Sequence, residues 1–137
     1  MRLELVAHTP HVETMIATSM LTTTSGAQPS TLYDRLFDKP ERVREVVGRA
    51  EVQHGSILEH NRLVWLLEAT DGEVLQAALG SRFLEFTRLD ESRWLVSGNL
   101  RAAIEYIQKK KTPFTDALAA SLKGVAPDIR FLEKEGR

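Results

Sequence analysis

The sequence specifies an α+β domain, a two-layer sandwich of helices on a small mixed or antiparallel sheet, and three patterns carry that expectation. Leu3, Leu5 and Ala7 alternate with Arg2, Glu4 and Val6, the period-two pattern of a strand with one face on a core. Leu63, Val64, Trp65, Leu66 and Leu67 are apolar at both alternations, which marks a central strand. Leu100, Ala103, Ile104 and Ile107 recur at i, i+3, i+4 and i+7, as in an amphipathic helix.

Punctuating residues set the remaining elements. Thr9-Pro10 reads as a cap followed by proline at the first helical position, with Val12, Met15, Ile16, Ala17 and Met20 as the buried stripe. The run Leu21-Thr22-Thr23-Thr24-Ser25-Gly26 ends that helix. Ser30-Thr31 caps a short helical piece carrying Leu32, Leu36 and Phe37. Pro40 opens a helix over about 40–53, with Val43, Val46, Val47 and Ala50 inward, and Gly55 stops it. After the central strand, Asp71 caps a helix bearing Val74, Leu75, Ala78 and Leu79, which Gly80 closes. Residues 83–89 and 94–96 read as two strands turning through Asp90-Glu91-Ser92-Arg93, with one continuous irregular segment as the alternative. Asn99 begins the next helix, which ends in Lys109-Lys110-Lys111, a favourable place for cations through the macrodipole. Thr112-Pro113 caps a last helix with Phe114, Ala117, Leu118 and Leu122, closed at Gly124. The tail from Pro127, with Ile129, Phe131 and Leu132, is apolar enough to dock on the body or on another subunit.

Composition narrows the function classes. A chain of 137 residues, 42% hydrophobic, suits one domain over residues 1–137 with one core. Its 18 basic and 19 acidic residues leave a net charge of −1, so no sequence-wide footprint for nucleic acid or an anionic membrane is present. There are no cysteines, which excludes disulfides, thiolate catalysis and thiolate metal sites. No stretch reaches the roughly 18 apolar residues of a membrane span, and no basic region leads into an apolar one at the N-terminus. A soluble, cytoplasmic protein is expected.

Chemistry-bearing residues concentrate in Gln53-His54-Gly55-Ser56-Ile57-Leu58-Glu59-His60. Ser56 and Glu59 have the spacing of a capping box, which alone would make this a helix start with incidental histidines. A turn between two elements is equally a place where polar side chains and backbone N–H groups converge for binding. His8 and His11 are three apart, and His54, Glu59 and His60 are close in sequence. Neither set fixes a third ligand, so no metal is expected.

His54-Gly55-Ser56-Ile57-Leu58-Glu59-His60, followed by the apolar run 63–67, resembles the H-x-S-x-x-E-H segment of the flavin-dependent thymidylate synthases. Residues 1–21, with His8-Thr9-Pro10, are similar to that family's first strand and helix. The stretch from Ser97 to Tyr106 resembles its asparagine-x-arginine helix start, which approaches the flavin. On local grounds Asn99 is as well read as a plain N-cap and Arg101 as a solvated helix residue. The resemblance implies FAD as cofactor, held by His54, Ser56, Glu59, Asn99, Arg101 and Glu105. It implies a pyrimidine nucleotide near Arg82, Arg93 and Lys110, and a homo-oligomer, a tetramer, with the site built across subunits. The family's reaction moves a one-carbon unit from a folate to deoxyuridylate, with the flavin as hydride carrier.

The departures are as informative. The family's Arg-His-Arg signature is expected after Gln76, where this chain reads Leu79-Gly80-Ser81, with Arg82 as the next cation. Ser92-Arg93-Trp94 stands near the place of the downstream serine–arginine element, and the chain from there to Asn99 is shorter than the family's. Lys110 keeps the charge of the family's arginine without its fork geometry. Glu105 stands where the family has Asn or His. Each charge-assisted hydrogen bond to a phosphate contributes about 1.5–3 kcal/mol, so losing an arginine pair weakens nucleotide binding by orders of magnitude. The expectation is a shortened, diverged relative that keeps the flavin side better than the nucleotide side, with thymidylate synthesis in doubt. The alternative is a non-catalytic homo-oligomeric interaction module that keeps the fold with an empty or altered pocket.

Overall fold

The alternating start of the chain and the two-sided apolar run become neighbouring strands. A computed structural model describes residues 1–22, 24–49 and 56–129. The elements are β1 (Arg2–His8), α1 (Val12–Thr22), α2 (Pro29–Phe37), α3 (Pro40–Gly48), β2 (Arg62–Glu68), α4 (Asp71–Gly80), β3 (Glu85–Arg88), β4 (Arg93–Asn99), α5 (Leu100–Lys109) and α6 (Pro113–Lys123). The strands form one antiparallel sheet in the order β1-β2-β4-β3, and the hairpin of β3 and β4 is the one the sequence announces. The class is α+β.

β2 is central, as its residues require, but its two faces differ. Leu63, Trp65 and Leu67 are fully buried, whereas Val64 and Leu66 are half-buried. Across the strands, Gly98, Val96 and Trp94 continue the buried face. α6 lies on that side: the indole Nε1 of Trp65 donates to Ser121 Oγ at 2.9 Å. Leu118 and Leu122 of α6 and Ala103 and Ile104 of α5 complete the core over it. α1, α2 and α3 pack on one another. Ile129 is buried, so the start of the tail docks on the body, while Phe131 and Leu132 lie outside the described residues.

Several helix starts move from where the sequence puts them. Thr9 serves β2 rather than α1: its Oγ1 accepts the Arg62 N–H at 2.9 Å and its own N–H donates to the Arg62 carbonyl at 2.9 Å. α1 therefore begins at Val12, after His11 turns the chain in the left-handed region, φ 53°, with its ring edge-on to Phe37 at 4.6 Å. α2 starts earlier than Ser30-Thr31 because Pro29, with φ already helical, takes a first-turn position behind Gln28. Thr70, not Asp71, caps α4. Its Oγ1 accepts the Glu73 N–H at 3.2 Å while Glu73 Oε1 accepts the Thr70 N–H at 2.9 Å, a reciprocal capping box. The same spacing at Ser56 and Glu59 makes only a 3₁₀ turn, with the Glu59 N–H donating to the Ser56 carbonyl at 3.3 Å. The chain must enter β2 by Arg62, and no room for a helix remains. α3 ends at Gly48; residues 50–55 lie outside the described residues.

Candidate functional site

β4 passes into α5 with no loop between them. Asn99 is the last strand residue and the helix N-cap at once, its Oδ1 accepting the Ala102 N–H at 2.8 Å. The Leu100 N–H donates to the Asn61 carbonyl at 2.8 Å, which pins the turn before β2 against the first turn of α5. Glu59 is thereby carried to Arg101. Arg101 Nη1 donates to Glu59 Oε1 at 3.2 Å, and Nε donates to Glu105 Oε1 at 3.0 Å, one helical turn along. The hydrogen bond and charge of Glu105, then those of Glu59, raise the Arg101 pKa above its ordinary value.

Glu59, Asn99, Arg101 and Glu105 line one cavity of about 210 Å³ with Ala102 and Phe83. Phe83 is 58% exposed, and the Arg82 guanidinium sits 5.0 Å from its ring centroid, within cation–π range. Arg82 has no ion-pair partner among the described residues, so it supplies a cation beside the cavity that Arg101 does not. One guanidinium between two carboxylates leaves the inner cluster at −1. Its remaining donors are one N–H of Nη1 and both of Nη2, with the amide NH₂ of Asn99 nearby. Such a set serves carbonyl or hydroxyl acceptors on a ligand better than a phosphate.

The other expected site residues lie elsewhere. Ser56 lines a separate cavity of about 400 Å³ with His60 and with Met15, Thr18 and Ser19 of α1. Arg93 is at the opposite end of β4 from Asn99, six residues at about 3.3 Å each, and Asp90 holds it at 2.6 Å. Lys110, just after α5, lines a third cavity. His54 lies outside the described residues. Four of the expected flavin-side residues thus meet in one place, with Arg82 beside them.

Three features escaped the sequence. Phe83, read as part of a strand, precedes β3 and offers an open ring. Asn61 is fully buried with both amide atoms lacking hydrogen-bond partners; an asparagine before a strand gives no signal of that. Glu13 on α1 and Asp128 in the C-terminal segment also meet, 115 residues apart in sequence. The Asp128 N–H donates to Glu13 Oε2 at 2.8 Å, and Arg44 of α3 stands 3.7 Å from the Asp128 carboxylate. Burial first, then the side-chain hydrogen bond to Asp128, push the Glu13 pKa up to about 7. No group of three or more metal-ligating side chains occurs among the described residues. None of their helices is long and apolar enough to cross a membrane.

No family profile matches the sequence, and no curated protein matches it significantly. The fold does match solved structures. A UMP/dUMP methylase, PolB from Streptomyces cacaoi, bound with 5-Br dUMP, superposes with a TM-score of 0.73 at 12% identity, over 97% of this chain and 94% of the other. The flavin-dependent thymidylate synthase ThyX from Helicobacter pylori, complexed with FAD and dUMP, superposes with a TM-score of 0.67 at 11% identity, over 98% and 99%. At that identity the likeness is one of fold. The coverage does not show the shortening that the order of motifs led us to expect.

Proposed function

We propose that this chain is a flavin-binding protein with the fold of the flavin-dependent thymidylate synthases, whose cofactor site is the cavity at the start of α5. The observation that carries the reading is the meeting of Glu59, Asn99, Arg101 and Glu105, from two separated sequence segments, in one cavity. Its chemistry fits part of FAD. The free N–H groups of Arg101 and the Asn99 amide suit the ring carbonyls of an isoalloxazine, Phe83 offers a face for stacking, and the cofactor's phosphates find their cation in Arg82 rather than in the neutralised Arg101. Bound flavin would supply hydride transfer, while the protein positions it.

A cavity of about 210 Å³ is small against the roughly 300–1,000 Å³ of a complete ligand site. We therefore include a second copy of the chain in the proposal, completing the site in a homo-oligomer, with a tetramer as the form implied by the sequence resemblance. Pyrimidine nucleotide binding has weaker support, because Arg82, Arg93 and Lys110 lie in three different places and the arginine pair is replaced by Leu79-Gly80. Thymidylate synthesis is expected to be lost with it.

The test is titration of the purified protein with FAD, followed by absorbance and by thermal melting. Shifted flavin bands and a raised Tm are expected, and Arg101→Ala should weaken uptake roughly tenfold or more, since a charge-assisted bond and the order of Glu59 and Glu105 go together. Absence of uptake by the wild type at millimolar FAD would end this reading.

A further inference from the structure

We infer that the cavity between α4, α5 and α6 is a binding site for a small organic monoanion carrying an apolar ring, an aromatic carboxylate being the simplest example. The cavity measures about 330 Å³, within the usual range for ligand sites. It shares no lining residue with the cavity at Arg101, so the inference stands whether or not flavin binds.

The walls fix the kind of ligand. Tyr106 and Phe114, with ring centroids 5.7 Å apart, and Ala77 make a buried apolar floor, and Leu79, 78% exposed, stands at the rim. The floor is rigid. Tyr106 Oη donates to the Ala77 carbonyl at 3.0 Å, and its ring fills the place that a side chain at Gly80 would take. Gly80 is therefore required for α4 to close onto α5, and Leu79 is left facing solvent over an open cavity rather than packed into a core. An exposed leucine beside buried aromatic rings is an apolar surface that a ring can cover.

The polar groups fix the charge. Lys110 and the α-amino group of Met1 are the cations on the lining among the described residues, and the Lys110 ammonium has no ion-pair partner among them, unlike Lys111, which Asp116 holds at 2.7 Å. Thr112, Pro113 and Phe114, the cap and first turn of the eleven-residue α6, line the same end and bring the positive pole of that helix beside Lys110. Glu73 also lines the cavity, but its carboxylate is taken up by the N–H and hydroxyl of Thr70 in the α4 capping box. With two cations and one fixed carboxylate, the lining has a net charge of +1, which accommodates a single negative charge and disfavours a dianion. The Gln76 amide adds a neutral donor and acceptor.

The experiment is a ligand-observed NMR titration with benzoate, benzamide, benzylamine and phenyl phosphate. Benzoate is expected to bind the wild type in preference to the other three. Lys110→Met should weaken benzoate about 10- to 100-fold, the worth of one charge-assisted hydrogen bond, and leave FAD uptake unchanged. Lys110 is exposed, so this variant should fold; Lys110→Glu, made beside it, should shift the preference to benzylamine. Equal binding of benzoate and benzamide, tighter binding of benzylamine or phenyl phosphate to the wild type, or benzoate affinity indifferent to both substitutions would overturn the inference. Loss of FAD uptake in Lys110→Met with benzoate binding absent would overturn it too, since Lys110 would then belong to the flavin site.

Discussion

Two carboxylate clusters in this protein meet opposite fates. Around Arg101, Glu59 and Glu105 share one guanidinium at 3.2 and 3.0 Å and face solvent. Between α1 and the C-terminal segment, Glu13 meets Asp128, and the cation beside them among the described residues, Arg44, stands 3.7 Å from the far carboxylate and is itself mostly exposed. In the first cluster a cation separates the acids. In the second, two acids touch, half-buried, and Glu13 keeps its proton up to about pH 7. Charge is affordable where water and a fork of donors remain; where burial removes both, a proton takes the cation's place. The first arrangement leaves donors for a ligand, the second fastens one end of the chain to another.

The largest expected effect tests the second cluster. The folded pKa of Glu13, about 7, lies above its ordinary 4.5. The native state therefore binds the proton more tightly, and stability from this group is present below about pH 4.5 and lost as pH rises to about 7. Discounted for a side chain half open to solvent, the loss is about 1–2 kcal/mol. Glu13→Gln keeps an acceptor for the Asp128 N–H and a donor for its carboxylate, with nothing to titrate. Denaturant melts from pH 4.5 to 8 should show the wild type losing ground to Glu13→Gln across that interval. Parallel pH profiles for the two proteins would show that the carboxyl pair does not share a proton, and the contrast with Arg101 would collapse.

How much of this was legible in the sequence differs between the clusters for a physical reason. Asn99, Arg101 and Glu105 lie on one short helix, where spacing fixes proximity, and Glu59 needed only the turn before β2 to swing it alongside. The strands and most helices were legible on the same ground, since Leu63, Trp65 and Leu67 or Leu100, Ala103, Ile104 and Ile107 repeat with their element's period. Glu13 and Asp128 come together only through tertiary packing of α1 against the end of the chain, and no periodicity records that. Helix starts failed where a tertiary bond outbid a local one. Thr9 had the residue type of a cap but was claimed by the backbone of Arg62. The T-x-x-E of Thr70 and the S-x-x-E of Ser56 look alike as strings, and only the distance left before β2 separates a helix from a single turn.

A middle-sized effect probes what aims the Arg101 cluster. The Asn99 side chain caps α5 as Thr112 caps α6, and removing either cap should cost about 1 kcal/mol. The two substitutions should part company in FAD titrations. Asn99→Ala loosens the turn that sets Arg101 and removes an amide from the cavity, so it should weaken uptake, whereas Thr112→Ala should leave uptake as it was. Equal behaviour of the two variants would reduce Asn99 to its cap.

The smallest effect separates stability from aim most sharply. Glu105→Gln removes one of two carboxylates from an exposed guanidinium, and exposed pairs contribute little, so the Tm should move by only about 1–3 °C. The cluster's net charge meanwhile changes from −1 to neutral. If Arg101 serves a ligand oxygen, as proposed, FAD uptake should hold or tighten in Glu105→Gln, because Nε is held by a neutral acceptor only and one repelling carboxylate is gone. Adding Glu59→Gln should strengthen that trend while leaving Tm nearly where it was. A large fall in Tm with unchanged flavin uptake would mean that the ion pairs hold the turn to the helix and that the same three residues are structural. The pair of readouts decides between the two, because screening by water keeps the stability term small in a cluster this open while the ligand, on binding, displaces that water.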